Sequence, residues 1–370
     1  TDTSALPAVD PNRRALIVHT SGTTGRPKGA VHTHRSVTAM VDGLLDAWAW
    51  TAADRTVLVL PLHHVHGIVN VVLCAMAAGA TLEAPGGFEA DAVWDRLASG
   101  DVTIFMAVPT VYARLVEAHD GADEPRRAAW SRGARSARLM VSGSAALPVS
   151  TLARWQELTG QVLLERYGMT EIGMALSNTL SRRVPGHVGE PLPGVEVRIV
   201  DEGGAPVPEG APGELLVRGP QVFLEYWGRP RETEEAFDDD DGDGDGWFRT
   251  GDVAVRDEGG YRLLGRSSVD IIKSGGEKVS ALEIEEAYRT HPSVADCAVV
   301  GVPDAVWGQR VCAAVQRTAG GGASAEELRA WGKERLAPAK VPARFVFVDA
   351  LPRNALGKVV KADVVPLFEN

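Results

Sequence analysis

Three observations predict an α/β protein whose main sheet is mostly parallel and covered by helices. Short β-branched runs alternate with helical patterns through the first half of the chain, and several of those runs empty into turns of small residues. After residue 185 the pattern changes to short strands separated by Pro-Gly and Asp-Glu-Gly turns. Alternation of this kind belongs to parallel sheets with helical crossovers, and the later turns mark β-rich structure. The expected architecture is a large first domain, residues 1–265, with a β-rich subdomain, and a small α+β second domain, residues 266–370.

Taken in order, ALIVHT (15–20) reads as a strand running into a glycine-rich stretch, followed by a helix from His34 to Trp48. That helix sets Val37, Val41, Leu44, Leu45 and Trp48 near one face. VTIFMAV (102–108) is a buried strand, and Pro109 opens the next helix. RLMVSGS (138–144) repeats the strand-to-turn pattern, with Pro148 opening another helix. VGEPLPGVEVRIVD, GELLVRG and YRLLGR supply the β-rich part. In the second domain, Ser280 with Glu283 and Ser324 with Glu327 have capping-box spacing before ALEIEEAYRTH and ELRAWGKERL. ADCAVVGV, VCAAVQR and FVFVDAL are its strands.

Composition narrows the function. The 370 residues are 45 % hydrophobic, enough for two cores. A formal charge of −11 argues against a general nucleic-acid binder. No run of 18 apolar residues predicts a membrane span, and TDTSALPAVDPNRR has no apolar signal region. The absence of a starting Met suggests trimming or processing. Cys74, Cys297 and Cys312 sit in apolar strings without ligand spacing, so buried thiols in a reducing, cytoplasmic setting are expected.

SGTTGRPKG (21–29) is not a Walker A loop, because Gly29 and not Ser or Thr follows Lys28. Its physics is related. Gly22 and Gly25 free backbone amides to turn inward, Thr20, Ser21, Thr23 and Thr24 offer hydroxyls, and Lys28 adds a charge, a set suited to a polyphosphate. The plainer reading is a flexible surface turn. ERYGMTE (165–171) offers Thr170 to a phosphate oxygen and Glu171 to a magnesium ion; alone, it is also an ordinary charged turn. Asp252, in a Thr-Gly-Asp turn, is an acceptor for sugar hydroxyls or simply a structural Asx bond. Lys358 in PRNALGK reads locally as a solvated charge. DGDGDGWFRTGD (241–252) begins like a calcium loop but ends on Asp252 without flanking helices. HHVH (63–66), with His32 and His34 elsewhere, lacks acidic or cysteine partners in zinc spacing.

TSGTTGRPKG, LPLHHVHG, SGSAAL, YGMTE, YWGRP with WFRTGD, GRSSVDIIKSGGEKVSALEIE and PRNALGK occur in this order. The set resembles the acyl-adenylate-forming superfamily, which includes acyl-CoA synthetases, peptide-synthetase adenylation domains and beetle luciferase. Such enzymes normally carry a further hundred or so residues before the glycine-rich loop, so the resemblance implies that the front of the first domain is absent. It implies ATP, Mg²⁺ and coenzyme A as reactants. Thr20 to Lys28 would close over the β- and γ-phosphates and Glu171 would hold the metal, with Thr170 beside it. Gly143, Ser144 and Ala145 of the SGSAAL turn would flank adenine with Tyr167 and Gly168, and Glu165 and Met169 would join the ATP site. Asp252 and Arg266 would take the ribose hydroxyls, Lys278 would join the nucleotide site, and Lys358 would reach the α-phosphate. A hinge at Ser267–Ser268 would swing the loop Ser274, Gly275 and Gly276 against the thiol arm.

For the acid itself the informative position is Arg166, directly before YGMTE. A fatty acid gains nothing from a buried guanidinium, whereas a dicarboxylate gains a charge-assisted pair. GRSSVDIIKSGGEKVSALEIEEAY and LLERYGMTE look most like malonyl-CoA synthetases, and His64 and His66 add polarity for a short acid. The resemblance therefore implies a ligase joining malonate or methylmalonate to CoA. Arg166 bridged to Glu165 or to another acid is the structural alternative. Three other functions stay open: a ligase for another short or aryl acid, an adenylation domain loading a protein carrier, and a non-catalytic nucleotide binder.

Overall fold

The computed structural model describes residues 8–20, 27–238, 246–353 and 358–368. The chain divides into two compact units, one comprising residues 1–144, 155–198 and 216–250, the other residues 145–154, 199–215 and 251–370.

The first unit is built on a seven-stranded sheet. Its order is Thr81–Glu83, Arg55–Val57, Ile104–Ala107, Leu139–Ser142, Leu164–Met169, Gly173–Ser177 and Glu190–Pro191. The first five strands run parallel, and the last two join antiparallel. Central strands such as IFMA and LMVS are buried at every residue, as a sheet covered on both faces requires. The strand predicted from ALIVHT forms, but outside this sheet. Arg14–Thr20 pairs antiparallel with Lys28–Thr33, which pairs antiparallel with Glu225–Tyr226. Thr20 stands opposite Lys28, so the glycine-rich stretch joins two antiparallel strands and not a strand and its crossover helix. Periodicity marks a strand but carries no information about its partner.

The first helix, His34–Ala47, buries Met40, Val41 and Leu44. It starts on a capping box in which Thr33 and Ser36 satisfy each other's backbone amides. Its far end is tied down by Arg138. That guanidinium donates to both Asp54 carboxylate oxygens at 2.8 Å and to the carbonyls of Trp48 and Ala49 at 2.9 Å. Burial alone would raise the Asp54 pKa, yet the Arg138 bonds and the Thr103 hydroxyl together hold it at about 2. A depressed carboxylate stabilises the fold above its unfolded pKa and loses that contribution as it protonates. The stability gap between the wild type and Asp54→Asn is thus expected to be full above about pH 4 and to close as pH falls toward 2. Urea unfolding across that range measures it; a gap independent of pH would refute the assignment.

On one side of the sheet Trp94 is fully buried and stacked between Trp130, at 5.6 Å and 8°, and Trp155, at 5.2 Å and 21°. No helix among the described residues is long and apolar enough to cross a membrane.

The second unit holds a five-stranded sheet of Ile271–Ser274, Glu277–Ser280, Val294–Asp304, Gly308–Arg317 and Arg344–Val348. Alternate residues enter separate cores. Cys297, Val299, Val311 and Ala313 pack with Ile284 and Tyr288, while Ala298, Val300, Cys312 and Ala314 pack with Leu351, Val364 and Phe368. The unbroken apolar run in ADCAVVGV thus reflects a sheet covered on both faces. The capping box at Ser324 and Glu327 forms in full. That at Ser280 is half formed: its hydroxyl accepts the Glu283 amide at 3.2 Å, but the Glu283 carboxylate is drawn away by Lys340 at 2.7 Å. All three cysteines are buried and unpaired, and burial raises the Cys74 thiol pKa to about 12.

Candidate active site

In the first unit, three consecutive parallel strands end near one cluster of polar side chains. Arg166 projects from Leu164–Met169 and is 3 % exposed. Its Nη2 lies 3.5 Å from Ser144 Oγ, while Nε and Nη1 have no hydrogen-bond partner among the described residues. Burial lowers its pKa to about 9, so at neutral pH it remains a cation, with no counter-ion among the described residues. The proposed alternative, a bridge to Glu165, does not form. Adjacent strand residues face opposite ways, and Glu165 instead accepts the Gly186 amide at 2.8 Å.

Ser144 sits at φ +71, a left-handed conformation uncommon outside glycine. There its hydroxyl lies 3.2 Å from His66 Nδ1 as well as beside the guanidinium. The strain of that turn accompanies an arranged polar contact. Gly143 provides the room: a Cβ there would fall 2.6 Å from the Arg166 guanidinium carbon. His66 opens a π-helix, His66–Leu73, and its Nε2 is buried without a hydrogen-bond partner among the described residues. Burial, then the charges of Arg166 and His64, push its pKa well below the usual imidazole range, so the ring is neutral. Tyr112 closes the cluster from below, donating to the Val141 carbonyl at 3.0 Å. Its buried phenol lies near enough to Arg166 to feel its charge. The structure therefore brings Arg166, His66 and Ser144 together. His64 is only half-buried, its ring 4.3 Å from that of His63 and tilted 48° to it.

The YGMTE turn is held from two sides. His32 Nε2 lies 2.8 Å from the Thr170 carbonyl, and burial lowers that imidazole's pKa to about 4, which keeps it neutral. Glu171 is 5 % exposed, accepts the Tyr226 hydroxyl at 2.8 Å, and its own carbonyl takes the Phe223 amide at 2.7 Å. The half-buried Lys28 places its ammonium 4.3 Å from the Tyr226 ring centroid. Gly168 is required by contact: a Cβ there would sit 2.0 Å from the Gly173 carbonyl oxygen. Tyr167 and Met169 touch through hydroxyl and sulfur at 3.9 Å. Thr20 is half-buried at the strand end, while Ser21, Gly22, Thr23, Thr24 and Gly25 lie outside the described residues.

In the second unit, Asp252 Oδ1 is 3.1 Å from Arg266 Nε, the pair expected at the ribose. Lys278 is bridged to Glu202 at 2.8 Å, and Ala145 is exposed. Ser267 is exposed, with amide and hydroxyl both donating to the Gly251 carbonyl at 3.0 Å, and Ser268 beside it is exposed. In the Ser274–Gly276 turn, Gly275 and Gly276 have φ of +59 and +85. A Cβ on Gly275 would lie 2.7 Å from the Trp307 ring, whereas Gly276 faces open space. Lys358 is exposed, and residues 354–357 before it lie outside the described residues.

Sequence reasoning missed Tyr226 and Tyr112, weighed His32 only as a zinc ligand, and gave Ser144 only to adenine. Tyr226 stood inside the quoted YWGRP, but nothing local ties it to a carboxylate 55 residues earlier.

A family described as AMP-binding enzyme matches residues 2–227, and the AMP-binding enzyme C-terminal domain matches residues 283–358. The chain is 51 % identical to "Malonate--CoA ligase ACSF3, mitochondrial" of Mus musculus over 380 aligned residues, covering 96 % of this chain and 64 % of that protein. It thus spans somewhat under two thirds of that relative's length. Among solved structures, ATP-bound MatB from Rhodopseudomonas palustris superposes with a TM-score of 0.89 at 37 % identity, over 98 % of this chain and 69 % of that one. A malonyl-CoA ligase ternary product complex with methylmalonyl-CoA and AMP gives 0.64 at 42 % identity, over 93 % and 73 %.

Proposed function

The chain belongs to the AMP-binding enzyme family, and from that premise we propose that it takes part in ATP-dependent ligation of malonate or methylmalonate to coenzyme A. In the first step one carboxylate oxygen attacks the ATP α-phosphorus and pyrophosphate leaves. In the second the CoA sulfur attacks the acyl carbonyl and AMP leaves. The observation that carries the substrate class is Arg166: a buried cation with two donor nitrogens unpartnered among the described residues matches the second carboxylate of a dicarboxylic acid. Malonate would complete its hydrogen bonds and neutralise it. A neutral His66 and the Ser144 hydroxyl suit the same carboxylate as uncharged hydrogen-bonding groups.

Among the described residues no group of three or more His, Cys, Asp or Glu is arranged to hold a metal. A magnesium ion fits such a site, because it is commonly bound by one or two carboxylates together with substrate phosphates. Glu171 is the carboxylate proposed to hold it; when bound, the ion offsets charge on the phosphates. The chain's own part is to cradle the phosphate tail from Thr20 to Lys28 and to fix Thr170 and Glu171 in the YGMTE turn. The ribose contacts of Asp252 and Arg266, the nucleotide contact of Lys278, the α-phosphate role of Lys358 and the thiol-arm loop at Ser274–Gly276 belong to the same proposal. So do the division at residues 265 and 266, the hinge at Ser267–Ser268 and a cytoplasmic location. Three buried, unpaired thiols are consistent with a reducing compartment.

The test is CoA-dependent AMP release by the full-length protein offered malonate, methylmalonate, acetate, benzoate and octanoate separately. Malonate and methylmalonate are expected to win by orders of magnitude. If a monocarboxylate wins, the ligase chemistry stands and the dicarboxylate assignment fails.

A further inference from the structure

The segment 223–226 grips Glu171 at two points, backbone and side chain, and the same segment seats Lys28. The Phe223 amide donates to the Glu171 carbonyl, and the Tyr226 hydroxyl donates to its carboxylate Oε1. Tyr226 is itself fixed. It is 5 % exposed, stands opposite Ala30 on the strand that begins at Lys28, and meets Phe223 edge-on at 4.7 Å. Its backbone amide donates to Thr233 Oγ1 at 3.0 Å. One rigid ring therefore presents its hydroxyl to a carboxylate and its face to an ammonium.

These two charges have opposite signs and share one partly buried region. Opposite charges attract one another more strongly where water is excluded. Lys28 makes no ion pair with any described residue, and the aromatic face that holds it attracts a cation without neutralising it. We propose that Tyr226 is a positioning residue that keeps Glu171 and Lys28 apart and separately aimed, the carboxylate toward a divalent cation and the ammonium toward the phosphate tail. This rests on the nucleotide reading above. The hydroxyl fixes the carboxylate rotamer, as outer partners of metal-binding carboxylates do, and the ring face keeps the lysine extended.

Two variants separate the two tasks. Tyr226→Phe keeps the ring and loses the hydroxyl; Tyr226→Leu loses both. Binding is read by Mn²⁺ electron paramagnetic resonance with a non-hydrolysable ATP analogue, and by calorimetry of that analogue in EDTA. Tyr226→Phe is expected to weaken Mn²⁺ binding about tenfold while leaving metal-free analogue binding unchanged. Tyr226→Leu is expected to weaken both. Unaltered Mn²⁺ binding in Tyr226→Phe would overturn the proposal, as would equal loss of both affinities, which marks general loosening of the site. If the wild-type protein binds no analogue at all, the nucleotide reading falls, and this inference with it. A wild type that binds normally beside an unaffected Phe variant sinks the positioning role alone.

Discussion

Arg166→Ala is expected to lower kcat/KM for malonate by about 10²–10³-fold, since losing one partner of a buried, hydrogen-bonded charge pair costs roughly 2–5 kcal/mol. Affinity for the ATP analogue should fall much less, because among the described residues the guanidinium's one hydrogen bond toward the nucleotide set is a long one, 3.5 Å to the Ser144 hydroxyl. The discrimination between malonate and acetate should collapse with it. Arg166→Lys keeps charge but not the planar fork, and is expected to fall between the two. The sign of the stability change gives a second check. In the free protein this cation is buried without a counter-ion, which costs free energy. Removing it is therefore expected to leave the thermal midpoint unchanged or raise it, although a buried side chain is being truncated. An Arg166→Ala protein that unfolds several degrees earlier would mean the residue is structural, and the carboxylate clamp would be the wrong explanation.

Gly168→Ala is expected to cost both stability and activity. A methyl group at this position would lie 2.0 Å from the Gly173 carbonyl oxygen and 2.4 Å from Met174 Cε. The first of these is backbone of the antiparallel partner strand, so relief requires the hairpin to open. Overpacking of this kind costs about 1–3 kcal/mol or more. Thr170 and Glu171 occupy the turn between the two strands, so the same displacement carries them away from His32 and Tyr226. A shift of about 1 Å in a catalytic group can cost roughly 10²-fold in rate, and a loss of that order is expected in adenylate formation. Gly43→Ala is the control. Its Cβ meets nothing within 4 Å in the helix His34–Ala47, so a gain of about 0.5–1 kcal/mol is expected there. Urea unfolding of both variants, with pyrophosphate release, decides the matter; a Gly168→Ala protein as stable and active as wild type would refute the packing argument.

Local signals carried much of this architecture. Apolar runs located Arg14–Thr20, Ile104–Ala107, Leu139–Ser142, Val294–Asp304 and Gly308–Arg317, and prolines and capping serines located helix starts, but short strands such as Arg55–Val57, Gly173–Ser177 and Ile271–Ser274 went unread. Where sequence reading stopped short, the missing information was non-local. Thr20 and Lys28 face each other across antiparallel strands because Arg14–Thr20 pairs with Lys28–Thr33, which its β-branched residues alone do not dictate. Glu283 leaves its capping box for a lysine 57 residues away. The π-helix at His66 is a slip in backbone hydrogen bonding with no compositional mark. At the site, Arg166 was legible because a cation beside YGMTE is chemically conspicuous. Tyr226 and His32 were not, since an aromatic and a histidine inside strands look like ordinary core until their partners arrive from 55 and 138 residues away.

The stacked indoles of Trp94, Trp130 and Trp155 give the first unit an optical signature of its own. The Trp130 and Trp155 centroids lie 5.6 and 5.2 Å from that of Trp94 with small interplanar angles, close enough for their excited states to couple with it. Circular dichroism in the aromatic band should therefore carry a strong contribution from this trio, while Trp307 and Trp331 of the second unit lie outside it. Trp94→Phe should abolish that band without touching Arg166 or Glu171. Unfolding of the first unit can then be followed by light alone, with no added dye or substrate.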